Sequence, residues 1–479
     1  MDAHIPYRYE QLARLIVEMV DNGALPPGAR APSVRAMSGQ HGVSVSTTMQ
    51  AYRLLEDRGV LVARPQSGFY VAVAHRRALA LPSASRPRAK ASTVAIGGAV
   101  AALLEHASNS SLVPLGCAVP EAALLQAGKL DLALARAARQ HGTDYNVYGA
   151  ARGDPGLRRE IAKRAMRLGH ALAPDDVLVT NGCTEALMLA LTAVASRGDT
   201  IAVESPTYFG LLHMLEVLGM KALEVPTHPT RGIDVGALAR LLDDQPVAAC
   251  LVSSCFNNPL GSTMAEADKR ALLALLARRR LPLIEDEVYG EIHFGRERPK
   301  PFIALDGDAD TIYCSSFSKS LAPGYRVGWI ATRRHAQRVM ERKMAFSLCG
   351  PLLPQVALAD FLAGGAYDAH LRRMRRSFEQ NLAHLTRAVE ASFPAGTKVS
   401  RPAGGFVLWL ELTKGFDSRA LFDEALEQGL CFAPGDVFSA SRRYRHCLRL
   451  SAGYAWNERL ERGVRRLGQM ARRQLDGRP

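Results

Sequence analysis

Ile312-Tyr313-Cys314-Ser315-Ser316-Phe317-Ser318-Lys319, with Arg326-Val327-Gly328 shortly after it, is an apolar run that ends in hydroxyls, an amine and a guanidinium. Similar runs alternate with longer helical stretches around it: Val177 to Thr180, Ile201 to Glu204, Ala222 to Val225, Ala248 to Ser253, Leu283 to Glu285, Ile312 to Ser315 and Val327 to Ala331. Strands that are apolar throughout belong to a sheet covered on both faces, and the alternation with helices predicts an α/β domain with a mainly parallel sheet. Ligands of such sheets lie beyond the carboxyl ends of the strands. The residues that follow each run are therefore where chemistry is to be sought.

After the first run, Asn181-Gly182-Cys183-Thr184 opens a helix near Glu185, and small residues there let backbone N–H groups approach a phosphate. Ser205-Pro206-Thr207-Tyr208 follows the second run, Asn257-Asn258-Pro259-Leu260-Gly261 the fourth and Asp286-Glu287-Val288-Tyr289 the fifth. Taken singly these are bland: a strand-to-helix turn, a surface acid, a solvated lysine. Together they suit one cofactor. A lysine amine can condense with an aldehyde, an acid can keep a pyridine nitrogen protonated, and Ser, Arg and helix N–H groups can clamp a phosphate.

From about Leu112 to the C-terminus the chain resembles fold-type I pyridoxal-phosphate enzymes of the aspartate aminotransferase superfamily, with a large sheet domain and a small α+β domain. The resemblance implies that Lys319 forms the internal aldimine and that Asp286 pairs with the pyridinium nitrogen. It implies that Asn258 and Tyr289 bond the phenolic oxygen, that Tyr208 stacks on the ring, and that Gly182, Cys183, Thr184, Ser316 and Arg326 hold the phosphate, with Ser318 as a further member. Tyr148, in Tyr148-Gly149-Ala150-Ala151-Arg152-Gly153, matches a tyrosine that reaches the phosphate of the neighbouring subunit, which implies a dimer. Arg449, in Leu448-Arg449-Leu450-Ser451, matches the arginine that grips a substrate α-carboxylate through a bidentate pair; without the resemblance it reads as a surface arginine near a strand end.

The N-terminal stretch has a different pattern. Leu12, Ile16, Met19 and Val20 recur at helical spacing up to Asn22-Gly23, Pro26-Pro27-Gly28 turns the chain, and Ser33 caps a short helix with Val34, Arg35 and Met37. His41-Gly42 turns again, and Ser44 caps a third helix expected to bury Met49, Tyr52, Leu55 and Ala51 while Ser46, Thr47 and Gln50 face outward. Leu61 to Ala63 and Phe69 to Val73 read as two strands joined by Arg64-Pro65-Gln66-Ser67-Gly68. A short helix, a tight turn and a second helix fit a helix-turn-helix with a wing, in which the second helix enters the major groove by its N-terminal end.

The stretches Leu25 to Arg35, His41-Gly42-Val43-Ser44, Ala51 to Glu56 and Arg64 to Val71 resemble the GntR family of winged-helix regulators over Tyr7 to Val73. By that resemblance Arg35, Ser44, Ser46, Thr47 and Gly68 contact DNA. Family members often carry Arg after the capping residue, where this chain has Val45, so base specificity is expected to differ.

Composition agrees with two domains: the chain has 479 residues, 48% of them apolar, and a net charge of +14 that favours an anionic partner. The N-terminus, Met1-Asp2-Ala3-His4, has no basic n-region, and the most apolar run, Val94 to Leu104, is short and broken by Gly97-Gly98. No export signal or membrane span is expected, and a cytoplasmic location follows. The eight cysteines are scattered without a C-x-x-C pair, which predicts buried thiols and neither a disulfide framework nor a metal site.

Residues 1–75 are thus expected to form the winged helix, 76–110 a linker and 111–479 the aminotransferase-like body. The linker is rich in Ala, Ser and Pro, carries Arg76, Arg77, Arg86, Arg88 and Lys90, and reads as a flexible tether or an added contact to DNA. This order resembles the MocR subfamily of GntR regulators. The resemblance implies a transcription regulator that binds a DNA operator as a head-to-tail homodimer and senses pyridoxal 5'-phosphate, or an amino compound as an aldimine at Lys319. Two rivals remain: an active aminotransferase with a secondary DNA-binding head, and a protein in which the cofactor is structural.

Overall fold

The computed structural model describes residues 7–26, 28–57, 59–64, 67–72, 79–107, 109–125, 127–141, 144–305 and 310–477. They fall into two compact units, the second beginning at Leu79.

The first unit consists of helices α1 (Arg8–Asp21), α2 (Val34–His41) and α3 (Val45–Asp57) and the antiparallel pair β1 (Leu61–Arg64) and β2 (Gly68–Val71). The 3.6-residue period puts Leu12, Ile16 and Val20 of α1 into a shared core with Ala51, Tyr52 and Leu55 of α3. Ser33 Oγ accepts from the Ala36 amide at 3.1 Å and so caps α2. Gly42 ends that helix at φ +61°, a left-handed conformation that favours glycine. Tyr52 satisfies its buried hydroxyl by donating to the Pro32 carbonyl at 2.6 Å. Met49, expected inside, is only half-buried; Thr48 takes the inner position because its hydroxyl donates to the Ser44 carbonyl at 3.2 Å. The second wing strand ends at Val71, short of the expected Val73, which lies outside the described residues together with Pro27, Pro65 and Gln66.

The second unit is built on a twisted sheet. Its strands are β3 (Ser92–Thr93), β4 (Val177–Thr180), β5 (Thr200–Ser205), β6 (Lys221–His228), β7 (Ala249–Val252), β8 (Leu283–Asp286), β9 (Thr311–Ser316) and β10 (Gly328–Ala331), in the spatial order β3-β6-β5-β7-β8-β9-β10-β4. From β6 to β9 every pairing is parallel, while β10 runs antiparallel to both of its neighbours. Each expected apolar run is one of these strands. The period of two explains the continuous apolarity: Ile201 and Val203 join Leu187 and Leu211 on one face, and Ala202 joins Leu238, Leu272 and Leu276 on the other. A smaller antiparallel sheet of Lys398–Val399, Val407–Glu411, Cys447–Ser451 and Ala433–Pro434, in that order, lies C-terminal to it.

The expected linker needs correction. From Leu79 onward the chain is tied to the body as an extended strap: the Val399 amide donates to the Ala80 carbonyl at 2.8 Å, and the Ser83 amide and hydroxyl both donate to Glu411, at 2.6 and 2.9 Å. The Ser85 amide donates to the Thr227 carbonyl at 3.1 Å, the Ala91 amide to Gln245 at 2.9 Å, and β3 then pairs with β6. A helix, α4 (Gly97–Ala107), completes the segment. Pro and Ser signal the absence of a helix there, and body side chains and edge carbonyls satisfy the backbone instead. Arg86, Arg88 and Lys90 are exposed on this strap, whereas Arg76 and Arg77 lie outside the described residues. All eight cysteines are free thiols, seven buried and Cys349 half-buried. Among the described residues no helix is long and apolar enough to cross a membrane.

Candidate functional site

The carboxyl ends of β4, β5, β7, β8 and β9 converge on a cavity of about 450 Å³. Its lining includes Cys183, Thr184, Tyr208, Asn258, Asp286, Tyr289, Ser316, Ser318, Lys319, Arg326 and Arg449, all expected from the sequence. Register explains part of the convergence, since Ser316 pairs with Gly328 and Gly328 with Thr180, which brings the ends of β9 and β4 beside each other.

Helix α5 (Cys183–Val194) begins here, with Gly182 at its N-cap. Gly182 has φ +82° and ψ 174°, a conformation essentially confined to glycine, and a Cβ on it would lie 2.5 Å from Arg326 Nη2. A Cβ on Gly328 would in turn lie 2.5 Å from the Gly182 carbonyl carbon. These two glycines let the Arg326 guanidinium lie across the start of α5, where Nη2 donates to the Asn181 carbonyl at 3.2 Å. Free N–H groups of the first helical turn and a guanidinium together make an anion cradle. Ser316 is buried beside it, and Ser318 Oγ is buried with no hydrogen-bond partner among the described residues.

The Cys183 thiol does not face the cradle. It donates to Asp286 Oδ1 at 3.7 Å, so only the backbone of Cys183 remains for a phosphate. Burial, and then the charge of Asp286, push this thiol well above its usual range. Asp286 ends β8, and its carboxyl is pushed up to about 6: burial dominates, the Cys183 bond opposes it, the neighbouring Glu287 adds to it and Lys319 opposes it.

Lys319 Nζ donates to the Ala118 carbonyl at 2.7 Å. Its amine is lowered to about 8, chiefly by burial and then by Arg449, with Asp286 opposing and Arg326 assisting. Arg449 is only 1% exposed, which removes the surface reading. Its Nη1 donates to Asn258 Oδ1 at 2.9 Å and its Nη2 to the Gly116 carbonyl at 2.5 Å, while Nε is buried without a hydrogen-bond partner among the described residues. The guanidinium carbon lies 5.1 Å from the Phe438 ring centroid and 5.8 Å from that of Phe209. Burial raises the phenols of Tyr208 and Tyr289, with Arg449 opposing in both.

Tyr148 stands apart: it is 84% exposed and does not line the cavity of its own chain. In the first unit Arg35, Ser44, Ser46 and Gly68 are exposed and Thr47 is half-buried. Ser44 Oγ accepts from the Thr47 amide at 3.1 Å and lies 2.8 Å from Ser46 Oγ and 2.7 Å from Thr47 Oγ1, a hydroxyl cluster at the start of α3. Val45 follows it at 51% exposure, and Gly68 turns the wing at φ +97°.

Two groups at the cavity, and one buried acid outside its lining, are given no role by the sequence pattern. The carbonyls of Gly116 and Ala118 hold Arg449 and Lys319, and a main-chain acceptor leaves no mark in a sequence. Leu103, Leu104 and Ala107 of α4 form part of the wall; the only signal was the apolar run Val94 to Leu104. Glu204 is buried at the end of β5, with Oε2 accepting from the Ser253 amide at 2.8 Å, and burial raises its carboxyl to about 8.

Residues 121–467 match the family model for aminotransferase class I and II, and residues 8–71 match that for bacterial regulatory proteins of the gntR family. The uncharacterized HTH-type transcriptional regulators YjiR and YdcR of Escherichia coli are each 37% identical to this chain, over 98% of it and 100% of their own length. The chain belongs to the MocR-type GntR regulators. Among solved structures, the MocR-type body is similar to LysN, an α-aminoadipate aminotransferase of Thermus thermophilus, complexed with N-(5'-phosphopyridoxyl)-L-leucine. That likeness has a TM-score of 0.73 and 29% identity over 79% of this chain and 95% of that one. In this MocR-type chain the two family matches fall one on each compact unit.

Proposed function

We propose that this protein is a pyridoxal-phosphate-dependent transcription regulator in which an amino compound at the Lys319 cavity controls the grip of the winged helix on an operator. The observation that carries the reading is the Lys319 and Asp286 pair facing one cavity with an anion cradle, in a chain that also carries a GntR head.

The cavity suits the cofactor on its own chemistry. The cradle would be filled by a single Cβ at Gly182, Ser318 Oγ and Arg449 Nε are buried donors without partners among the described residues, and an acid and an amine share the lining. When bound, the cofactor would supply an aldehyde carbon for amines and a ring that draws electrons. The N–H groups after Gly182, with Ser316, Ser318 and Arg326, would hold its phosphate. Asp286 would sit at the ring nitrogen, steered by the Cys183 thiol, and a carboxyl near 6 can retain or release a proton around neutral pH. Tyr208 would cover the ring, and Asn258 and Tyr289 would serve its phenolic oxygen. Lys319, with an amine near 8, is neutral in about a tenth of the molecules at pH 7, far more than an ordinary lysine, and can act as a nucleophile. Arg449 Nε is the donor left for a carboxylate.

The exposed Tyr148 supports a head-to-tail dimer in which it serves the neighbouring cavity. In the head, the α3 hydroxyls and Arg35 would meet phosphates and base edges, with Gly68 bringing the wing backbone close. A second reading, an active aminotransferase, is favoured by the buried Arg449 beside a complete lysine and acid pair.

Lys319→Ala separates these roles. It is expected to abolish the visible band of the bound cofactor and its response to amines, while DNA binding by the variant stays measurable by electrophoretic mobility shift. Loss of the fold itself, read by circular dichroism, would point to a structural cofactor and contradict the regulator reading.

A further inference from the structure

Among the described residues, charge in the cavity lining is confined to four side chains, Asp286, Lys319, Arg326 and Arg449, and each has a task at the cofactor or the carboxylate under the proposed function. A different part of the lining is apolar. Helix α4 presents Leu103, Leu104 and Ala107, and helix α6 (Phe209–Val217) presents Leu211 and Met214. These two helices are fastened together at one end: the Ile96 and Gly97 amides donate to Glu216 Oε2 of α6 at 3.0 and 2.8 Å, so a carboxylate sits at the N-terminus of α4. The apolar wall is thus held in place by polar contacts away from the cavity.

We propose that this wall is the side-chain subsite of the effector, and that the site selects α-amino acids with apolar side chains over acidic or basic ones. The inference rests on the regulator reading and narrows it. An amino acid anchored by its carboxylate at Arg449 and by its amino group at the cofactor has only its side chain left to place. Against Leu103, Leu104, Leu211 and Met214 a charged side chain would lose water and find no partner, whereas an aliphatic or aromatic one gains burial. The wall also places the effector against α4, which continues directly from the strap that begins at Leu79. A larger or smaller apolar side chain would therefore bear on the segment that follows the DNA-binding unit in the chain.

The test uses the full-length, cofactor-loaded protein, titrated with L-leucine, L-phenylalanine, L-glutamate and L-lysine by calorimetry while the cofactor band is recorded. Leucine or phenylalanine is expected to bind at least tenfold more tightly than glutamate or lysine. Leu104 is 53% exposed, so Leu104→Arg tests the wall without disturbing the core; it is expected to shift the leucine-to-glutamate ratio at least tenfold toward glutamate. Leu104→Ala is expected to weaken leucine several-fold and leave glutamate unchanged. Wild-type binding that ignores side-chain charge, or an unchanged ratio in Leu104→Arg, overturns this assignment alone. No response to any of the four amino acids, with the band present, also overturns the assignment; the regulator reading beneath it falls separately, when DNA affinity responds neither to the cofactor nor to any amine that alters the band.

Discussion

At the scale of single residues, the central pair is Lys319 and Asp286, and their environments push them toward each other in proton affinity. An amine lowered to about 8 is neutral in half of the molecules at that pH, and only the neutral amine attacks a carbonyl. Cofactor uptake by the apo-protein is therefore expected to accelerate as pH rises, with a midpoint near 8 and not at the ordinary lysine value of 10.5, as read by stopped-flow absorbance. Arg449 lowers this amine and Asp286 raises it, so Arg449→Met should move the midpoint up and Asp286→Asn should move it down. Both residues were legible in the sequence because the chemistry requires their side chains at strand ends. The orientation of the Cys183 thiol toward Asp286 was not: a cysteine opening a helix reads as a phosphate contact, and only the packing of β8 against α5 decides where its sulfur points. The Ala118 and Gly116 carbonyls were equally invisible, since any residue supplies a carbonyl.

At the scale of elements, α3 and α4 carry the readings that reach beyond the cofactor. Ser44 closes the N-terminus of α3, whereas Ser46 makes a side-chain contact and no cap. Ser44→Ala is expected to cost the head about 1 kcal/mol and to weaken DNA binding. Ser46→Ala should weaken DNA binding with little change in stability. Thermal unfolding and mobility shift on both variants separate the two roles. For α4, Glu216→Ala removes the acceptor of two amides, and hydrogen exchange in residues 96–100 is expected to speed up by roughly tenfold or more, corresponding to about 1.5 kcal/mol of local protection. Unchanged exchange would show that packing alone holds the helix. The strands of the large sheet were readable almost to the residue, because continuous apolarity and strand-end polarity coincide. The strap and α4 read as a tether in the sequence because their ordering comes from distant partners, Glu411, Gln245 and Glu216, that lie between 120 and 328 residues away in the chain.

At the scale of the whole molecule, a GntR head and an aminotransferase-like body occupy one chain, and the chain between them is mostly body. That sharpens the regulatory account: a ligand in the cavity touches α4, and α4 continues from the strap. Coupling of this kind is a difference in ligand affinity between two DNA-binding states, and it must appear in both directions. The most direct measurement is the affinity of the cofactor-loaded protein for DNA upstream of its own gene. It is titrated with and without L-leucine at fixed salt, while the cofactor band and keto-acid release are followed in the same samples. The account predicts that leucine alters the band and changes DNA affinity at least fivefold, with keto acid forming slowly or not at all. A band that changes and turns over to keto acid at ordinary enzymatic rates, with DNA affinity untouched, would contradict it.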